Sequence, residues 1–200
     1  MSQSKPRIAV TLGDPSGVGP EIVAGAWARP EVHAWCRPLA VGRPEILGRA
    51  VELWRTGAEV VPVRSPDEVE PTASRIPCLV AGPPESDDVP PGRIDARAGQ
   101  AAFDAVVTAA QLALARRVDA VTTAPLHKEA LHKAGHLYPG HTELLAELCG
   151  VVDFAMMLYL GPDESVRSPA GLAVVHVTLH TAMRNVFAEL NEEAVLAKAR

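Results

Sequence analysis

The sequence predicts an α/β fold built on parallel strands, and three observations carry that expectation. Short β-branched apolar runs alternate with helical stretches, the βαβ rhythm that joins parallel neighbours through right-handed crossovers. The run from Arg7 to Thr11 passes directly into a glycine-rich loop and then an apolar helix. A later run, Phe154 to Leu160, is apolar on both faces, as a strand covered on both sides would be.

In order, the first strand is followed by Leu12 to Glu21, whose three glycines allow a tight turn and close backbone approach. Pro20 suits the first turn of the helix Ile22 to Ala28, and Glu21 complements its positive end. The loop has neither GxGxxG spacing nor the Gly-Lys-Ser/Thr of a P-loop, so it reads as a ligand-side loop or a purely structural turn. Pro38 to Val41 predicts a second strand, Glu45 to Trp54 a helix and Glu59 to Val63 a third strand. Ser65 to Asp95 is rich in proline and acid and reads as surface loops around one strand, Cys78 to Ala81. Ala96 to Arg117 is the longest helix, with a broad apolar stripe that includes Phe103, Val106 and Ala110. Val118 to Val121 predicts a short buried strand, Leu126 to Ala134 and Thr142 to Leu148 short helices, Gly171 to Thr178 a strand, and Met183 to Leu190 and Asn191 to Arg200 helices. The last of these has early acids and late bases but no closing residue, so the chain reads as part of a larger fold. Met156 and Met157 read as core filler.

A composition of 48% apolar and 22% charged residues is ordinary for a globular protein. A net charge of −5 with no basic run argues against nucleic acid and anionic membrane as the main partner. No signal peptide and no apolar run of about 18 residues is present, so a cytoplasmic location is expected. Cys36, Cys78 and Cys149 are odd in number and far apart, which supports neither a disulfide framework nor a zinc knuckle.

The chemistry concentrates in Thr122 to Glu143, which holds four of the seven histidines, two lysines and a Pro-Gly turn. Its polar groups begin where a strand ends, and in open α/β sheets ligands bind at the carboxyl ends of strands. His127, His132 and His136 taken singly read as histidines on a solvated helix face. His141 differs, because Pro139-Gly140 makes a turn and Thr142-Glu143 opens the next helix, placing His141 at a helix N-terminus that suits an anion. Further on, His176 and His180 would lie about 13 Å apart in strand geometry, too far to chelate one metal together. His180 falls at the ligand end, and His176 reads as a core histidine. Lys128 and Asp14 read as polar lining or as surface and capping residues.

Four stretches together resemble the 4-hydroxythreonine-4-phosphate dehydrogenase family of vitamin B6 biosynthesis. They are TLGDPSGVGPE at Thr11 to Glu21, TAPLHKEALHKAG at Thr123 to Gly135, YPGHTE at Tyr138 to Glu143 and HVTLHTAMR at His176 to Arg184. The resemblance implies the two-domain α/β/α architecture of isocitrate and isopropylmalate dehydrogenases, here with residues 1–125 in a first domain and 126–200 opening a second. It implies NAD-dependent (or NADP-dependent) oxidation of 4-phosphooxy-L-threonine, a small phosphorylated hydroxy-amino acid, with loss of CO₂. It further implies a homodimer and a divalent metal (Zn, Mg or Co) that polarises the alcohol oxygen. Carried over by position, His141 and Thr142 bind substrate and His180 is one metal ligand. Arg184 supports His180 over His176, since the family's ligand stands four residues before an arginine. No catalytic or cofactor-binding residue is assigned.

The family's two other metal histidines and its substrate-binding lysine, asparagine and arginine lie beyond residue 200. One ligand is short of the roughly three a usable metal site needs, so the 200-residue chain by itself is expected to be inactive. Two other readings stay open: a paralogue acting on threonate or erythronate 4-phosphate or a cyclic diol carboxylate, and a non-catalytic α/β module that binds an anion without metal.

Overall fold

The computed structural model describes residues 5–179 and 181–199. The chain forms two compact units, Met1–Cys149 and Gly150–Arg200.

The first unit is a five-stranded parallel sheet with helices on both faces. Its strands are β1 (Arg7–Thr11), β2 (Arg37–Gly42), β3 (Glu59–Val63), β4 (Arg75–Val80) and β5 (Ala120–Thr123), in the spatial order β3-β4-β2-β1-β5. Every pairing is parallel, with Ala9 opposite Leu39 on one side and Val121 on the other. The alternation of side chains across the strands separates two cores. On one face Ala40, Ile76 and Cys78 meet Val23, Ala24 and Trp27 of α1 (Gly19–Trp27) and Leu47, Ala50 and Val51 of α3 (Pro44–Trp54). On the other, Ala9, Leu39, Val41 and Leu79 meet Ala105 and Ala109 of α4 (Ala96–Leu114). Near-continuous apolar strands are what burial on both faces requires. Burial of the Cys78 thiol also pushes its pKa up to about 12, which makes it an inert core group.

Helix ends follow local chemistry. Pro occupies the first turn of α1, of α2 (Pro30–Trp35) and of α3, where its missing N–H has no helical partner to lose. Asp95 caps α4, accepting from the Arg97 amide at 2.8 Å, and the Arg97 side chain holds the Asp95 carboxyl down at about 2. Helix α4 stops earlier than expected because Ala115 leaves helical geometry and Arg116 takes φ 56°. The short helix α2 escapes sequence reading since none of its residues is buried and no apolar stripe marks it. Strand β4 starts at Arg75, three residues before its expected start, and a 3-10 turn over Pro84–Ser86 follows it.

Helices α5 (Lys128–Lys133) and α6 (His141–Leu148) fall within the first of these two units. At Gly99 of α4 a Cβ would come within 2.0 Å of the Ala130 carbonyl oxygen, so α4 and α5 touch backbone to backbone.

The second unit holds β6 (Met157–Leu160) and β7 (Leu172–Val175), an antiparallel pair, then α7 (Met183–Glu189) and α8 (Glu192–Ala199). The expectation that Phe154 to Leu160 forms a strand buried on both sides is corrected here. All four residues of β6 are exposed, Met157 to 54%, so Met157 is not core filler. Of the described elements only β7 packs closely on β6, so the faces of β6 stay uncovered. No described helix is long and apolar enough to cross a membrane.

Candidate functional site at the carboxyl ends of β1 and β5

β1 is the point at which the order of the strands reverses, with β2 on one side and β5 on the other. In open parallel sheets the crevice outside such a switch point is where ligands bind. The loops leaving β1 and β5 are stitched together there. The Asp14 amide donates to the Pro125 carbonyl at 2.9 Å, while on the other side the Leu12 amide ties the β1 loop to β2 at the Val41 carbonyl, 3.1 Å. Gly13 sits at φ 69°, and a Cβ there would lie 2.2 Å from the Pro125 oxygen, so this approach admits only glycine. The loop after β4 joins them: the Gly92 amide donates to the Ser16 carbonyl at 2.7 Å, and Arg43 grips Asp87 through two hydrogen bonds of 2.9 and 2.6 Å.

Between these loops lies a cleft of about 420 Å³ lined by Asp14, Ser16, Val18, Arg93, Ile94 and His127, among others. Asp14 is only 4% exposed. Burial raises its carboxyl above the ordinary value, opposed by hydrogen bonds from the Ser16 and Gly17 amides and by the nearby His127. The Ser16 Oγ is buried without a partner. Arg93 and Ile94 went unnoticed in the sequence because they fall in a proline-rich loop, 13 and 14 residues beyond the end of β4.

His141 opens α6 directly after Gly140, one residue ahead of the expected helix start. Burial lowers the pKa of its ring, against a hydrogen bond to the Ala124 backbone that raises it. Its Nε2 is buried with no partner. Ala124 directly follows β5, so His141 is anchored to the same strand end as the cleft, although it is not among the cleft's lining residues. Thr142 is half-buried in the first turn of α6. Lys128 is exposed, and its Cε lies 3.9 Å from where a Cβ on Gly140 would stand.

The other histidines of this stretch have local partners. His127 Nδ1 accepts from the Ala130 amide and caps α5, His132 donates to the Tyr138 carbonyl at 3.0 Å, and His136 pairs with Gln100 at 2.8 Å. In the second unit His176 lies just past β7, with Nδ1 buried and unpartnered. The expected metal ligand His180 lies outside the described residues. Among the described residues no group of three His, Cys, Asp or Glu is arranged to hold a metal ion. The described residues therefore do not by themselves fit a divalent metal.

The fold and this strand-end site define a parallel α/β ligand-binding protein of the doubly covered type. Residues 34–200 match the family described as pyridoxal phosphate biosynthetic protein PdxA, and the chain belongs to that family. It is 40% identical over its whole length to a 4-hydroxythreonine-4-phosphate dehydrogenase of Trichlorobacter lovleyi, of which it covers 57%. It is 39% identical, over 92% of its length, to a D-threonate 4-phosphate dehydrogenase of Cupriavidus necator, of which it covers 52%. Among solved structures, the 4-hydroxythreonine-4-phosphate dehydrogenase of Burkholderia phymatum superposes with a TM-score of 0.84 at 35% identity, over 98% of this chain and 57% of that one. The chain thus spans a little over half the length of the curated relatives it matches.

Proposed function

We propose that the protein is a dehydrogenase that oxidises the secondary alcohol of a phosphorylated four-carbon hydroxy acid, 4-phosphooxy-L-threonine in pyridoxal phosphate biosynthesis, with NAD as hydride acceptor. The observation that carries this reading is His141: a buried ring nitrogen without a partner, at the first residue of a helix, anchored to the carboxyl end of β5. The free N–H groups of the first turn of α6 and the Lys128 ammonium favour an anionic group at that position. His141 and Thr142 bind the substrate there. The unpartnered Nε2 of His141 is free to hydrogen-bond a ligand, and a protonated ring donates there to a phosphate. Asp14 lines the neighbouring cleft as a buried polar group. NAD supplies the hydride acceptor when bound; no residue is assigned to it. His180 is proposed as one metal donor of the complete protein, a homodimer, and no step is derived through the metal. Residues 1–200 alone are proposed not to turn over.

A second reading, D-threonate 4-phosphate as substrate, is favoured by near-equal identity to relatives of both names. Steady-state NADH formation by the complete protein, with the two substrates compared side by side in the presence of divalent metal, decides between them. The account expects turnover of at least one, and a fall in kcat/KM of about ten- to hundredfold in His141→Ala, the scale of a hydrogen bond to a charged group. No turnover of either substrate, or an unaffected His141→Ala, contradicts it.

A further inference from the structure

The segment 134–140 that delivers the chain from α5 into α6 has no regular structure, yet it is fixed at several points. The His136 amide donates to the Leu131 carbonyl at 3.1 Å, and the His132 ring donates to the Tyr138 carbonyl. The firmest attachment runs to α4. The His136 ring lies flat on Phe103, with ring centroids 3.6 Å apart and planes 4° from parallel. Its Nε2 is 2.8 Å from the Gln100 Oε1.

The direction of that last bond is dictated from one turn away. Gln100 Nε2 donates to the Asp104 Oδ1 at 2.8 Å, and a carboxylate can only accept. The Gln100 oxygen is thereby left facing His136, and an amide oxygen accepts only, so His136 must carry its proton on Nε2. Asp104 thus orients Gln100, Gln100 selects the tautomer of His136, and Phe103 sets the plane of the ring. Four residues after His136 comes Gly140, the residue that directly precedes α6.

We propose that Gln100 and His136 are positioning residues, which hold the 134–140 turn on α4 so that His141 and Thr142 meet a phosphorylated substrate in preset geometry. The proposal rests on the reading of His141 and Thr142 as substrate contacts. Preorganisation of this kind improves binding by removing the ordering that the turn would otherwise undergo with ligand. Loss of one neutral hydrogen bond sets the expected scale, about three- to tenfold in affinity.

The test is a titration of inorganic phosphate into the complete protein, followed through the imidazole ¹H–¹⁵N signals, with melting temperatures measured in parallel. In the wild-type protein before phosphate is added, the His136 signal is expected to show the Nε2–H tautomer, a result that depends on no variant folding. His136→Phe keeps the stack but not the donor, and Gln100→Ala removes the acceptor; each is expected to weaken phosphate binding by that factor. His136→Gln, which restores a donor, recovers most of the affinity, and the double variant Gln100→Ala/His136→Phe is no weaker than either single one. An Nδ1–H tautomer overturns the proposal. So does wild-type affinity in His136→Phe and Gln100→Ala while His141→Ala loses binding, or weakened binding that follows melting temperature without rescue by His136→Gln. If the wild-type protein does not bind phosphate, or His141→Ala binds it unchanged, the underlying substrate-contact reading falls and the proposal with it.

Discussion

Folding works against the Asp14 carboxylate. Its burial beside the cleft disfavours the charged form, and the hydrogen bond from the Ser16 amide and the nearby His127 offset only part of that. With the folded pKa raised, the native state binds more protons than the unfolded chain between the unfolded pKa and the folded one, so stability falls as pH rises through that window. Asp14→Asn keeps an oxygen for the Ser16 amide and removes the charge. Its melting temperature is expected to exceed that of the wild type at pH 7, and the difference to vanish at a pH below about 3.8, where both side chains are neutral. A variant no more stable at pH 7 contradicts this account. At the same scale, the sequence showed the helix start at His141, because a Pro-Gly turn precedes it, but His136, read as lying on a solvated helix face, falls beyond α5 and stacks on Phe103. It could not pair His136 with Gln100, since the two lie 36 residues apart and meet only after α4 and α5 pack.

Helix α4 organises the elements around it. Its small residues let α5 approach to backbone contact at Gly99, and its Gln100–Asp104 turn holds the entry to α6. Gly99→Ala drives a methyl into the Ala130 carbonyl and pushes α5 away. The expected loss of stability is about 1–3 kcal/mol, measured by denaturant unfolding, as for an overpacked core. Tolerance of that substitution within a few tenths would mean the helices do not touch as described. The helices with an apolar stripe and the β-branched strands were legible as sequence, and α7 matches its expected span to within one residue. Burial of β6 was not, because a continuous apolar run reads alike whether its faces are covered or wet, and only the surrounding chain decides which.

At the scale of the molecule the two units differ in kind. Met1–Cys149 carries a doubly covered sheet with two cores, whereas the two-stranded sheet of the second unit exposes Leu158, Tyr159, Leu172 and Val174. Such a sheet is marginal by itself in water. Family membership and the α/β architecture were legible from four motifs, whereas His180 lies outside the described residues. The central claim is that substrate binds where β5 ends and α6 begins. A crystal structure of the complete protein with 4-phosphooxy-L-threonine tests it most directly. The account predicts the phosphate at the first turn of α6, within hydrogen-bond distance of the His141 Nε2 that now has no partner. A phosphate bound away from α6, with that nitrogen still unpartnered, would contradict it.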